Sequence, residues 1–91
     1  MKIRKQEYGT ANMVGKKIEQ LRKAQGIKQK DFIAQMQVMG CDINPTSYSK
    51  LEGQVRSATD MEIFVISRLL GVKMEELFDY DEKGNIDEVY I

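Results

Sequence analysis

The chain has no histidine, one cysteine, one proline and no apolar run near eighteen residues. Without histidine there is no imidazole general base and no histidine-bearing zinc site. Cys41, standing alone, forms no intrachain disulfide. The missing apolar run excludes a membrane-spanning helix, and the start lacks the charged and apolar regions of a secretory leader. A cytoplasmic protein without membrane association is the expectation. There is also no glycine-rich phosphate loop, no Ser–His or Cys–His pairing, and no carboxylate pair that stands apart from surface acids. No enzymatic activity, cofactor or metal is expected.

Net charge is zero too, but its distribution is uneven. Residues 1–30 carry nine Lys or Arg against two acids, and residues 31–91 carry five against twelve. A +7 half joined to a −7 half is the asymmetry of a chain with one polyanion-facing side. At 91 residues the chain holds one domain and one core.

What is present is helical punctuation. From Asn12 to Gln25, Val14, Ile18, Leu21 and Ala24 recur at the helical period, with Asn12 as cap and Gly26 as stop. The exposed side of this helix holds Lys16, Lys17, Arg22 and Lys23. A second helix carries Phe32, Ile33, Met36 and Met39 and ends at Gly40. Its start is weakly signalled, because Lys28 stands where a capping Ser or Thr belongs. Gln29 in its first turn is suited to donate to a phosphate. A third helix opens at Asn44, with Pro45 at the first helical position and Ile43 and Tyr48 as a hydrophobic staple, and it ends at Gly53. It is about 12 Å long.

This third helix is the informative one. Tyr48 and Leu51 anchor one narrow side, while Thr46, Ser47 and Lys50 occupy the other with no acid among them. Such a face suits base edges and phosphates in a major groove, and a plain solvated face has the same composition. Beyond it lies a loop with Arg56 and Ser57 exposed. The capping box Thr59-Asp60-Met61-Glu62 opens a fourth helix through Ile63, Phe64, Ile66, Leu69 and Leu70 to Gly71, read as core. A fifth, short helix spans Met74 to Phe78.

Two ends flank these helices. Residues 1–11 form a basic arm with Lys2, Arg4 and Lys5, read either as a disordered terminus or as an arm following a minor groove. Residues 80–91 form an acidic tail in which Lys83-Gly84-Asn85 signals a turn and Val89-Tyr90-Ile91 favours a strand. A solvated tail, a hairpin and a self-association strand are all open.

The helix order and several short motifs resemble the Cro and lambda-repressor type of helix-turn-helix domain, the XRE family. The likeness covers Val14 to Phe78. It rests on Ile18-x-x-Leu21-Arg22, on Gln29 opening helix 2, and on Ser49-Lys50-Leu51-Glu52-Gly53 closing helix 3. Leu70-Gly71-Val72 followed by Glu76-Leu77-Phe78 completes it. Residues 37–42 make the second helix and its turn longer than the common pattern, and Ile33 stands where the family prefers alanine. The resemblance implies an all-α, five-helix, lambda-repressor-like domain over residues 12–79 with a short irregular or strand-like C-terminal tail. It also implies a transcriptional regulator, a repressor by expectation, bound as a homodimer to a double-stranded DNA operator.

Position by position, Gln29 would hold a phosphate and brace helix 3, while Asn44, Pro45, Thr46, Ser47 and Lys50 would meet the groove. Lys17, Lys28, Lys30 and Arg56 would meet phosphates, and Glu52 would pair with Arg22 inside the fold. The rival reading is a protein-interaction module on the same fold, an antitoxin or anti-regulator, with the C-terminal tail offered to a protein partner.

Overall fold

A computed structural model describes residues 7–78. The described chain is wholly helical: α1 (Gly15–Ala24), α2 (Gln29–Val38), α3 (Pro45–Glu52), α4 (Asp60–Leu70) and a 3₁₀ turn, Met74–Leu77. No strand occurs among the described residues. The expected fifth helix is thus one 3₁₀ turn, which still buries Leu77 completely. The basic cluster at Lys2, Arg4 and Lys5 and the tail motifs from Lys83 to Ile91 lie outside the described residues.

Local chemistry explains the boundaries. Asn12 stands ahead of α1 rather than directly on it. Its Oδ1 accepts from the amides of Val14 and Gly15 at 2.9 and 2.8 Å, so the helix proper begins three residues after the expected start. Its Nδ2 donates to the carbonyls of Leu51 and Arg56, tying the start of α1 to the end of α3. Lys28 caps α2 with no side-chain hydrogen bond, as its chemistry requires. Asn44 accepts from Ser47 N at 2.8 Å, with Pro45 next to it. Thr59 and Glu62 complete a reciprocal capping box, and Gly71 closes α4 at φ 72°.

Val14, Ile18, Phe32, Met36, Tyr48, Leu51, Ile66 and Leu77 are essentially inaccessible and form one core with Ile33, Ile43, Val65 and Leu70. Three residues of the expected apolar stripes are outside it, the first being Ala24, exposed at the end of α1. Met39 keeps the helical spacing, but α2 ends one residue before it and it is 41% exposed at the C-cap. Phe64 lies off the Val65–Ile66–Leu70 side of α4 and is 48% exposed, with the Arg68 guanidinium 5.7 Å from its ring centre.

Close approach of α1 to α3 depends on Gly15. A Cβ there would lie 2.2 Å from Leu51 O and 2.6 Å from Glu52 O, closer than any real contact. Residues 8–11 run alongside the end of α3 as a strap. Gly9 N donates to Gly53 O at 2.7 Å and Ala11 N to Gln54 O at 2.8 Å. The strap therefore delivers the chain to α1 from beside the end of α3.

Candidate nucleic-acid interface

α3 is fixed from beneath by a buried polar cluster centred on Glu52. Arg22 reaches across from α1 and donates Nε to Oε2 at 2.6 Å and Nη2 to Oε1 at 3.0 Å. Tyr48 OH, one turn earlier on α3, donates to Oε2, and Gln29 Nε2 donates to Oε1 at 3.0 Å. Arg22 Nη1 also holds Ile27 O at 2.7 Å, so α1, α2 and α3 all converge on one carboxylate. Burial opposes the Arg22 charge, but Glu52's hydrogen bonds and charge outweigh it and raise the guanidinium above its ordinary value. Burial, then the neighbouring Glu52 charge, pushes the Tyr48 hydroxyl far above the usual phenol range. Tyr48 thus stays a neutral donor.

Gln29 is a brace spanning the lengthened turn: its Oε1 accepts from Ser49 Oγ at 3.3 Å while its Nε2 holds Glu52. The consequence is orientation. With Tyr48, Leu51 and Glu52 buried, the opposite side of α3 faces solvent with Thr46, Ser49 and Lys50 exposed.

That exposed side forms part of two recesses that share Thr46, Lys50 and Val55. One joins Gln29, Thr46, Ser49 and Lys50 to Gly53, Val55 and Glu7. The next joins Thr46 and Lys50 to Asn44, Pro45, Ser47, Val55 and Arg56. Gln29 also borders a separate recess with Glu19, Lys23 and Lys28, which no α3 residue lines. Among the residues of the first two recesses Glu7 is the only acid. Seven of the ten expected contact residues, Gln29, Asn44, Pro45, Thr46, Ser47, Lys50 and Arg56, therefore line these two recesses, and Lys28 lines only the separate one. Lys17 and Lys30 are exposed but line none of these recesses.

Individual roles differ from the expectations in places. Asn44 uses its carbonyl oxygen as the cap of α3. Ser47 is half-buried, and its backbone carbonyl accepts from Arg56 Nε at 3.0 Å. Arg56 is not the exposed loop cation expected. Its guanidinium is paired with Glu62, Nη1 to Oε1 at 3.0 Å and Nη2 to Oε2 at 2.8 Å, and it also holds Ser57 O. It pins the loop to the start of α4 because a carboxylate sits within bidentate reach. Burial acts to raise the Glu62 carboxyl, but the bonds from Arg56 and Thr59 prevail and hold it below the usual range.

Three surface residues escaped the sequence reading. Ser49, three residues from Thr46 on one helix face, was within reach of periodicity. Val55 and Glu7 were not, because their placement depends on a turn at Gln54 and on the strap. Gln54 has φ 60°, unusual for a residue with a Cβ, and its side chain is buried. Its amide holds the strap and α1 together, Nε2 donating to Gly9 O at 2.9 Å and Oε1 accepting from Lys16 N at 2.9 Å. No metal-ligating cluster occurs among the described residues, and no described helix is long and apolar enough to cross a membrane. No family model, curated protein or solved structure matches this chain.

Proposed function

We propose that the chain is a lambda-repressor-like, sequence-specific DNA-binding transcriptional regulator that lays α3 in a major groove. The observation that carries this reading is the solvent-facing side of α3. Thr46, Ser49 and Lys50 lie together there, flanked by Asn44, Pro45 and Gln29, with the helix braced from behind by Glu52. A major groove admits one α-helix, and Lys50 and Thr46 offer groups that match base edges. Lys17, Lys28 and Lys30 supply phosphate contacts, which position without specifying. Arg56 acts instead as an internal clamp. Following the resemblance, the chain acts as a repressor in the cytoplasm, as a homodimer on a near-palindromic operator.

The test is enrichment from a random-sequence duplex pool, followed by titration of the enriched duplex at several salt concentrations. The reading requires an enriched sequence and an affinity that falls linearly with log salt, by about 0.9 per phosphate neutralised. Absence of any retained duplex at low salt refutes it.

One observation favours a second reading, a protein-interaction module. Met61, Phe64 and Met74 are about half exposed on α4 and the 3₁₀ turn, and Met74 lines a recess with Ile63 and Phe78. Large exposed apolar groups on elements other than α3 fit a protein partner. A chain that retains no duplex but binds a protein through Phe64 would establish that reading instead.

A further inference from the structure

Val55 is an exposed apolar side chain in the middle of a polar surface. Only Thr46, Lys50 and Val55 border both recesses along α3. Val55 reaches that place through the way α3 ends. Gln54 N donates to Leu51 O at 3.1 Å and Val55 N to Lys50 O at 3.0 Å, with Gln54 left-handed between them. This is the paired-bond helix ending that usually has glycine at the left-handed position. It folds Val55 back beside Lys50 instead of letting the chain leave. Such endings often tuck the residue after the turn against the helix, but Val55 stays 59% exposed, so that contact does not account for it. Its Cγ1 lies near Gly9 of the strap, where an added Cβ would be only 3.1 Å away. The valine is thus held in place from one side and open on the other.

On the DNA-binding reading proposed above, on which this inference rests, we infer that Val55 reads the C5-methyl group of a thymine beside the base pair met by Lys50. Thymine alone among the four bases carries an apolar group on the major-groove edge, and an exposed valine next to a base-reading lysine is its complement. A phosphate is a poor alternative neighbour, because an isopropyl side chain has no donor to offer it. The other large exposed hydrophobic residues described, Val38, Met39, Met61, Phe64 and Met74, border neither recess, and the exposed Pro45 borders only the second.

The test uses the full chain and a duplex it enriches from a random pool, with each thymine in turn replaced by deoxyuridine, which removes only the methyl group. Wild type should bind about fourfold more weakly at one such position, the effect of one lost buried methyl. Val55→Ala should bind the thymine and deoxyuridine duplexes equally there, while Thr46→Ser should keep the wild-type difference. Retention of the difference by Val55→Ala, its loss in Thr46→Ser alone, or a wild type indifferent to every methyl group overturns the assignment but leaves DNA binding standing. A wild type that enriches no duplex overturns the DNA-binding reading, and Val55 with it.

Discussion

Replacing the buried Arg22 by methionine should be the most damaging charged-to-apolar exchange the central cluster permits. Arg22 contributes two hydrogen bonds to Glu52 and one to Ile27 O, and Glu52 is fully buried. The variant leaves that carboxylate with Tyr48 OH and Gln29 Nε2 and no countercharge. Breaking one partner of a buried pair costs ~3–5 kcal/mol, against a total of ~5–15 kcal/mol for a domain. With a urea dependence of ~1–3 kcal/mol per molar, the unfolding midpoint should fall by at least ~1 M. Equilibrium urea unfolding followed by far-ultraviolet circular dichroism measures it. The double variant Arg22→Met/Glu52→Gln should recover at least ~1 kcal/mol, because no buried charge is left without a partner. A loss below ~1 kcal/mol in Arg22→Met would place it among ordinary surface changes and show that water reaches Glu52. A double variant worse by the full sum of the singles would refute the pairing argument outright.

Leu70→Ala should cost ~2–5 kcal/mol in the same assay, since Leu70 is 5% exposed in the core, and a loss below ~1 kcal/mol contradicts that packing. Gln54→Gly should destabilise by ~1–3 kcal/mol despite removing a Cβ from a left-handed backbone, because Gly9 O and Lys16 N lose their partner; a more stable variant contradicts this. Glu62 should make stability fall in acid. Its folded-state pKa is depressed, so its contribution is complete above the unfolded value of about 4.3 and is lost as pH falls through the lower folded value. Glu62→Gln should flatten the stability profile below about pH 4.3, and an unchanged profile would show that another carboxylate carries the slope.

Helix order and caps were legible because they depend on neighbours in sequence. Asn44-Pro45, the Thr59–Glu62 box and the glycines at 40 and 71 declare themselves within four residues. The Arg22–Glu52 pair was reached through the resemblance, and no local pattern contains it. What the sequence hid depends on long-range placement. Arg56 reads as a free loop cation until Glu62 is seen within bidentate reach. Phe64 reads as core until the side of α4 that packs inward is known. Gln54 carries no turn signature, since its left-handed backbone is stabilised by bonds to Gly9 and Lys16, both some forty residues distant. Gly15 looks like a poor helix residue and proves to be the contact point of two helices.

The most direct test of the central claim compares Lys50→Ala with Lys28→Ala on an enriched duplex and a scrambled one, each at two salt concentrations. Lys50 lies on the exposed side of α3 and Lys28 at the start of α2. Lys50→Ala should lose ~1–3 kcal/mol on the enriched duplex alone and relax the preference at one base pair. Lys28→Ala should weaken both duplexes alike and reduce the salt slope by about one. Equal weakening of both duplexes by Lys50→Ala would contradict the claim that α3 reads the sequence.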